Sequence, residues 1–346
     1  MKNTKKVKLA KKNKKEIPIF FSTDDNYIPF VEIACRSMKD NASKKYNYIV
    51  HVLNTGIKPE NIAIVKKLED ENFKIDFFDV TEFVEPVKNR FRNLYHFTIA
   101  MYYRIFIEKM FPQYKKAIYL DCDIVVLGDI SKMFNIQLGN NLVGAVSDQL
   151  VPAVPQFVEY CEKCVGVVPA TKYFSSGILL MNLEEFRKQH IVDKFIYLMN
   201  TYNFDTVDPD QAYLNFLCYG KVKHLPNGWN KQSCPGECEG PLNIAHYALY
   251  KKPWQYDGVI NEEHFWHYAK QSPCYDKIMN IKNSFTDEMK RAKEDANINI
   301  VVHASEIIKS EKTFYNCLLR DGNWLDKISF NEVGDCFVSD NEKVKA

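Results

Sequence analysis

The sequence has few glycines and no glycine-rich phosphate-binding loop. Only 13 of its 346 residues are glycine. Neither the dinucleotide fingerprint nor the P-loop pattern of closely spaced glycines occurs. This argues against a nucleotide site built on such a loop.

Long hydrophobic runs and a secretory signal are also missing. No apolar stretch reaches membrane-spanning length, and the first 15 residues, with eight lysines and no acid, are too polar for a signal peptide. Ten cysteines without such a signal predict reduced thiols in a cytoplasmic protein. A zinc site that combines Cys161 and Cys164 with Cys234 and Cys238 is an alternative, although the separation of the two pairs matches no standard zinc spacing.

The positive charge is concentrated in the lysine-rich segment. The whole chain has a net charge of +2, and without these eight lysines it carries 38 basic and 44 acidic residues, a net of −6. The body therefore shows no basic excess of the kind that a nucleic-acid partner requires. For the segment itself two interpretations stay open: a disordered solubilising extension, which we favour, and peripheral contact with an anionic membrane at its inner face.

The length and composition predict one large or two modest domains with a sizeable core. Hydrophobic residues make up 46% of the chain and aromatic residues 14%, and we interpret most of the aromatic residues as core. From Ile17 to Val80 strands alternate with helices, with short connections between them. This order predicts an α/β fold with parallel pairing and helices on both faces of the sheet. From Asn261 onward the pattern becomes helical.

Two carboxylates follow a buried strand in the stretch "KKAIYLDCDIVVLGDI". Ionised aspartates resist burial unless a metal, a charge or hydrogen bonds compensate them, and Asp121 and Asp123 can turn toward one point. Carboxylates alone indicate a hard divalent ion such as Mg²⁺ or Mn²⁺. "TDDNY" also follows an apolar strand, so we expect both clusters at the edge of the sheet where ligands bind. A second pair with the same spacing, Asp208 and Asp210 in "VDPDQ", shows that the Asp-x-Asp spacing alone is weak evidence for a metal site.

Five ordered motifs resemble family 8 of the glycosyltransferases, which includes bacterial lipopolysaccharide glucosyl- and galactosyltransferases and glycogenin. They are "FFSTDDNYIPF", "YYRIFIEKMFPQYKKAIYLDCDIVVLGDI", "FSSGILLMNL", "DPDQAYLN" and "HYALYKKPW". The resemblance covers about residues 17–275. It implies a GT-A type Rossmann-like mixed sheet flanked by helices, a UDP-sugar donor, Mn²⁺ and retention of anomeric configuration. The domains expected are a basic tail (1–16), a GT-A catalytic domain (17–275) and a mostly helical C-terminal extension (276–346).

The resemblance implies a metal site and a diphosphate contact. Asp121 and Asp123 match the metal-ligating aspartates, and His246 of "HYALYKKPW" matches the third protein ligand, for Mn²⁺ or alternatively Mg²⁺. A core histidine is the rival interpretation of His246. Lys252 matches the lysine that contacts the diphosphate, where its charge offsets that of the leaving group.

Further matches concern the nucleoside. Asp24 matches a position that hydrogen-bonds uracil, Asn26 a ribose contact and Tyr27 a ring that stacks on the base. The rival interpretation is a helix N-terminus in which Asp25 acts as the cap. Arg104 matches an arginine beside the donor sugar, and a plain surface salt bridge is its rival interpretation.

The donor-sugar pocket is implied by the remaining motifs. Ser175 and Ser176 of "SSG" line it, Asp210 binds sugar hydroxyls, and Gln211 lies beneath the anomeric carbon. Asp148 matches a position where some relatives contact acceptor or sugar.

The sequence also departs from the family pattern at two positions. Ala212 stands where many relatives have a second aspartate, and Leu249 replaces a glycine. Because the amide of Gln211 is a poor nucleophile, we favour a front-face substitution over the double displacement that a carboxylate would allow, without excluding the latter.

The function predicted is a metal-dependent retaining hexosyltransferase in cell-surface polysaccharide biosynthesis. It would move glucose or galactose from UDP-glucose or UDP-galactose to a glycan, a lipid-linked sugar or a glycoprotein. A nucleotide-sugar hydrolase or nucleotidyltransferase, and a non-catalytic nucleotide-sugar-binding protein, are the alternatives. The loops Val151–Tyr173 and Lys231–Leu242, where an acceptor would bind, resemble nothing that we can assign.

Overall fold

The computed structural model describes residues 14–85, 88, 99–248 and 251–320. Within them the strands are β1 (Lys15–Ser22), β2 (Tyr46–Asn54), β3 (Phe73–Asp79), β4 (Ala117–Leu120), β5 (Ile124–Val126), β6 (Val143–Ser147), β7 (Phe174–Met181), β8 (Val222–His224), β9 (Lys231–Gln232) and β10 (Ile244–His246). Seven of them form the main sheet in the order β3-β2-β1-β4-β7-β6-β8, and β5-β10-β9 form a second sheet.

The main sheet is mixed, as predicted. Strands β3, β2, β1 and β4 are parallel, β7 is antiparallel to both β4 and β6, and β8 is parallel to β6. The parallel pairing expected of the first three strands is confirmed. Strands β5 and β9 were not predicted, because segments of three and two residues are too short to show a periodicity.

Helices flank the sheet. The α-helices are α1 (Ile28–Asp40), α2 (Pro59–Lys66), α3 (Thr81–Val84), α4 (Ile107–Met110), α5 (Ile130–Phe134), α6 (Pro155–Tyr160), α7 (Leu183–Lys188), α8 (Ile191–Thr201), α9 (Pro209–Cys218), α10 (Glu262–Ala269), α11 (Tyr275–Asn283) and α12 (Asp287–Ile307). Short 3₁₀ helices cover Asp25–Tyr27, Ile99–Phe106, Val151–Ala153, Ala170–Lys172 and Asn227–Trp229. Single π-helical turns cover Cys161–Val165 and Tyr315–Leu319.

One predicted helix has a different form. The pattern "FTIAMYYRIFIEKMFP" predicts a continuous α-helix, whereas the structure has a 3₁₀ helix over Ile99–Phe106 followed by the short α4. Residues 97 and 98 lie outside the described part of the chain. Every residue from Tyr102 to Phe106 is buried, so packing rather than helix propensity determines this backbone.

The sheet is covered on both faces, as the alternation predicted. Ile19 and Phe21 of β1 pack on one side with the core around α1, and Phe20 packs on the other side. Helix α12 contributes Ile300 and Ala304 to the core on that second side. This part of the predicted C-terminal extension therefore shares the core of the sheet domain.

Among the helices in the described residues, none is long and apolar enough to cross a membrane.

Candidate active site

A cleft opens at the carboxyl ends of two neighbouring strands. Because β1 and β4 are parallel and adjacent, the segments that follow Ser22 and Leu120 reach the same edge of the sheet. The cleft is lined by Asp24 after β1 and by Asp121 and Asp123 after β4. The structure therefore brings together the two polar clusters that the sequence indicated.

The segment Asp121–Asp123 carries the chain from the main sheet into the small one. Between the two carboxylates Cys122 is buried, and its thiol donates to the carbonyl of Ser22. Strand β10 runs antiparallel to β5 and places His246 opposite Ile124, and the amide of Tyr247 donates to the carbonyl of Asp123 at 2.9 Å. This pairing brings the histidine to the two aspartates, although it lies far from them in the sequence.

The three side chains could hold one metal ion. One ligand atom from each of Asp121, Asp123 and His246 lies within 4.8 Å of the others. His246 Nε2 is 3.3 Å from Asp123 Oδ1 and 3.9 Å from Asp121 Oδ2. Two carboxylates and an imidazole form a ligand set that a divalent metal ion can use.

The tautomer of His246 fits this use. Its Nδ1 lies 2.8 Å from Oδ1 of the buried Asn230. With an acceptor there, Nδ1 carries the hydrogen and Nε2 keeps its lone pair, which faces the two aspartates. Asn230 was not identified from the sequence, because only the fold places it beside His246.

Gly177 makes room for the carboxylate and the imidazole. A Cβ at this position would lie 2.5 Å from Asp121 Oδ2 and 2.6 Å from His246 Cε1. The carbonyl of Gly177 also accepts from the amide of Asp121 at 2.7 Å. The strand therefore needs a glycine here so that two ligand side chains can approach it, which supports a metal at this point.

Lys252 is ion-paired with Asp123. Its ammonium contacts Oδ2 of Asp123, and both side chains are largely buried. Burial opposes the carboxylate charge, but the positive charge of Lys252 outweighs it and holds the pKa of Asp123 well below its usual value. Oδ1 of Asp123 remains directed toward His246, so one carboxylate serves both a cation and the candidate metal position.

Arg104 connects Asp121 with Asp210 and Ser176 within the cleft. Its Nη2 donates to Asp121 Oδ1 at 2.9 Å, its Nε lies 3.2 Å from Asp210 Oδ2, and its Nη1 donates to the carbonyl of Ser176 at 2.6 Å. Burial disfavours the guanidinium charge, but Asp121 and Asp210 raise the pKa of Arg104 above its usual value. The surface salt bridge considered for Arg104 is wrong, since only 4% of the residue is exposed.

Gln211 has both ends of its amide engaged. Its Oε1 accepts from the amide of Ser176 at 2.8 Å, and its Nε2 donates to Asp208 Oδ2 at 2.9 Å and to Asp148 Oδ2 at 3.4 Å. Ser176 Oγ also donates to Asp210 Oδ2 at 3.0 Å. Residues Ser175, Ser176, Asp210, Gln211 and Asp148 all line the cleft.

Asp208 is a further carboxyl group of this cluster. It accepts from Tyr173 at 2.7 Å, and the pKa of its side chain rises to about 8 because of burial and the nearby Asp210 and Asp148. The sequence analysis noted Asp208 as part of a second aspartate pair but gave it no role. Its contact with Gln211 is local, because the two residues lie three positions apart at the start of α9, and this spacing is the signal that could have indicated it.

Of the three residues expected to contact the nucleoside, the structure places two at the cleft. Asp24 Oδ1 caps the turn by accepting from the amides of Asn26 and Tyr27 at 2.9 and 3.2 Å. Asp25, which the rival interpretation made the cap, instead accepts from Lys58 and Asn61. Tyr27 lines the cleft, whereas Asn26 is exposed and is not among the residues that line it. Contacts of Asp24, Asn26 and Tyr27 with a nucleoside stay predictions.

The zinc alternative finds no support in the described part of the chain. There the nine cysteines are free, and Asp121, Asp123 and His246 form the one group of three or more candidate metal ligands. The replacement of a family glycine by Leu249 lies outside the described residues.

The comparisons with known proteins agree with this geometry. The model "Glycosyl transferase family 8" matches residues 18–258. The chain belongs to glycosyl transferase family 8. General stress protein A of Bacillus subtilis is 33% identical over 254 residues, which are 67% of this chain and 85% of that protein.

Solved structures of glycosyltransferases share the fold. The bifunctional glycosyltransferase WbbM has a TM-score of 0.67 and 26% identity over 80% of this chain, which spans 53% of WbbM. An active-site mutant of LgtC has a TM-score of 0.61 and 25% identity over 74% of this chain and 96% of LgtC. The family 8 chain therefore has a GT-A fold with a helical C-terminal region, and the predicted fold class is confirmed.

Proposed function

We propose that this family 8 protein is a metal-dependent retaining hexosyltransferase that moves glucose or galactose from a UDP-sugar to an acceptor hydroxyl. The acceptor would be a glycan, a lipid-linked sugar or a glycoprotein. The observation that carries the proposal is that the candidate metal ligands and the candidate sugar-binding residues line one cleft and are connected. Candidate metal ligands there are connected through Arg104 to Asp210, Ser176 and Gln211.

Asp121, Asp123 and His246 would hold Mn²⁺, or alternatively Mg²⁺. The ion would offset the charge of the diphosphate and so stabilise it as a leaving group. Lys252, buried beside Asp123, would supply a second positive charge to the same group.

The sugar would lie on the other side of Arg104. Asp210 accepts a hydrogen bond from Ser176, forms an ion pair with Arg104 and retains capacity for sugar hydroxyls. Arg104 fixes this carboxylate relative to Asp121, so that the sugar-binding and metal-binding groups have a constant separation. Such positioning lowers the barrier only if the reacting atoms are held in register.

Gln211 would face the anomeric carbon as a dipole rather than a nucleophile. With Nε2 directed to Asp208 and Asp148, its carbonyl oxygen keeps one lone pair beside the hydrogen bond from Ser176. That oxygen would ease positive charge on the sugar in the transition state. The acceptor would attack from the face that the diphosphate leaves, and a phosphate oxygen would take its proton.

The experiment is a donor screen. Purified protein with Mn²⁺ is incubated with each common UDP-sugar, with and without a panel of simple glycoside acceptors, and both UDP release and the anomeric configuration of the product are recorded. We expect metal-dependent UDP release from UDP-glucose or UDP-galactose that an acceptor accelerates, with retention in the product. Release that no acceptor accelerates would favour the hydrolase, and UDP-sugar binding without release would favour a non-catalytic binding protein.

A further inference from the structure

The C-terminal helix α12 brings a lysine into the cleft. Lys293 lines the same cleft as Lys252 and the candidate metal ligands, and Ile300 on the same helix lines it too. The seven-residue spacing between them is about two helical turns, so both side chains lie on one face of α12. None of the motifs that carry the resemblance contains Lys293, and the family model ends before it, at residue 258.

The position of Lys293 is fixed by two neighbours. Its ammonium donates to Gln255 Oε1 at 2.8 Å and lies 5.8 Å from the ring centroid of the buried Phe285. The backbone N–H of Gln255 in turn donates to the backbone carbonyl of Lys252 at 2.9 Å. The two lysines are thus held by the same short segment.

Among the residues that the structure describes, the charge of Lys293 has no anionic partner nearby. Within the described residues no carboxylate oxygen lies within 4.0 Å of its ammonium, whereas Lys252 is paired with Asp123. Burial, and then the positive charge of Lys252, lower the pKa of Lys293 to about 8. Two cations that disfavour each other inside one cleft would both gain from an anion bound between them.

We propose that Lys293 is a second phosphate-binding cation that acts with Lys252 on the diphosphate of the donor. The proposal rests on the proposed function, because that function identifies the anion as a nucleoside diphosphate held beside the metal site. The C-terminal region then contributes a binding residue to the donor site. A flexible ammonium suits a phosphate group that changes charge during transfer, since it needs no fixed bidentate geometry.

The test compares ligands with and without phosphate. Affinities of UDP and of uridine are measured by calorimetry, with Mn²⁺ present, for the wild-type protein and for Lys293→Met, Lys293→Arg and Lys290→Met. Methionine keeps an unbranched apolar stem for packing against Phe285 but removes the charge. Lys290 lies one turn earlier on α12 and pairs with Asp287 at 3.0 Å, so it controls for the loss of a lysine from this helix.

We expect Lys293→Met to weaken UDP binding about tenfold, the scale of one charge-assisted hydrogen bond. Uridine binding should stay unchanged, Lys293→Arg should retain most of the UDP affinity, and Lys290→Met should equal the wild type. If Lys293→Met lowers the affinities for UDP and uridine equally, or leaves the affinity for UDP unchanged, the proposed role of Lys293 is wrong. The proposed function would not be affected by either result. A wild-type protein that fails to bind UDP would overturn the proposed function and this inference with it.

Discussion

Arg104 and Asp121 are joined by a hydrogen bond of 2.9 Å inside the protein, and the same guanidinium lies 3.2 Å from Asp210. One buried cation thus connects a candidate metal ligand to a candidate sugar ligand. The ring of Tyr119 lies under the guanidinium, with its centroid 4.3 Å away, and the Tyr119 hydroxyl donates to Asp121 at 3.0 Å. The orientation of Asp121 is therefore over-determined before any ligand arrives.

Arg104→Lys should damage the site although it keeps the charge. A lysine ammonium cannot reproduce the guanidinium contacts to Asp121, Asp210 and the carbonyl of Ser176. The unmet buried groups should lower the free energy of unfolding by about 1–3 kcal/mol, as measured by urea denaturation, and UDP release should fall below that of the wild type. Wild-type stability and turnover would show that the network does not depend on the guanidinium geometry.

Asp123→Ala should abolish metal-dependent donor binding. The shell loses one of three protein ligands, and Lys252 loses its partner. Calorimetric titration of UDP with Mn²⁺ measures the effect, with the exposed Asp40→Asn as the control for removing a carboxylate elsewhere. An unchanged titration would remove Asp123 from the metal site.

Gly177→Ala should weaken Mn²⁺-dependent UDP binding while the protein stays folded. The added methyl group would lie 2.5 Å from Asp121 Oδ2 and 2.6 Å from His246 Cε1, so at least one ligand must move. Gly144→Ala on β6 is the matched control, because its methyl group would meet side-chain carbon atoms at 3.0 Å or more. Thermal unfolding of both variants separates loss of the site from loss of the fold. Equal UDP affinity in the two alanine variants would contradict a steric requirement at Gly177.

The sequence indicated the two polar clusters for a simple physical reason. Asp24 and Asp121 each follow an apolar run that must be buried, and parallel strands that are neighbours in the sheet bring such ends to one edge. It could not indicate Asn230 as the partner of His246, because that contact depends on how distant elements meet. The contact of Asp208 with Gln211 is local, since the two residues lie three positions apart at the start of α9. The second sheet, which positions His246, was also not predicted, because its strands β5 and β9 are too short to show a periodic pattern.

Some site residues could not be recognised from local sequence patterns, and they were found either by the resemblance or by the structure. Arg104 and His246 were matched through family motifs, since nothing local distinguishes a buried arginine from a surface one. Lys293 lies on a helix whose sequence is mostly polar, "DEMKRAKEDANINI", and has no neighbour in sequence that marks it. Only the packing of α12 beside the cleft reveals it.

Asp208 should make stability depend on pH. Its pKa in the folded protein is about 8, above the ordinary value of 3.8, so the folded state binds the proton more tightly than the unfolded state. The stabilisation is fully present below about pH 4 and is lost as the pH rises toward 8. The slope is at most about 1.4 kcal/mol per pH unit.

Asp208→Asn removes this titration and tests it. In urea denaturation at several pH values between 5 and 8, the variant should gain stability relative to the wild type as the pH rises. Measurements in EDTA keep metal binding out of the comparison, and Asp40→Asn should follow the wild type. Parallel curves for Asp208→Asn and the wild type would contradict the raised pKa.

The mechanism depends on Gln211. If its amide only positions groups and polarises the sugar, Gln211→Ala should slow turnover by a factor on the order of 10 to 1,000, the loss of one positioned dipole. The product should still have the retained configuration. Donor affinity is measured in each variant, so that a lost pocket is not mistaken for lost chemistry.

Gln211→Glu decides between the two routes. The new carboxyl group would lie where Nε2 now donates to Asp208 and Asp148, at 2.9 and 3.4 Å, and so would replace a donor by a third acid. Like charges at this separation favour the protonated form, and a protonated glutamate is a poor nucleophile. We therefore expect low activity, retention and no covalent sugar on the protein by intact mass. A glutamate variant that regains the full rate and accumulates a glycosylated protein would replace the front-face route by a double displacement.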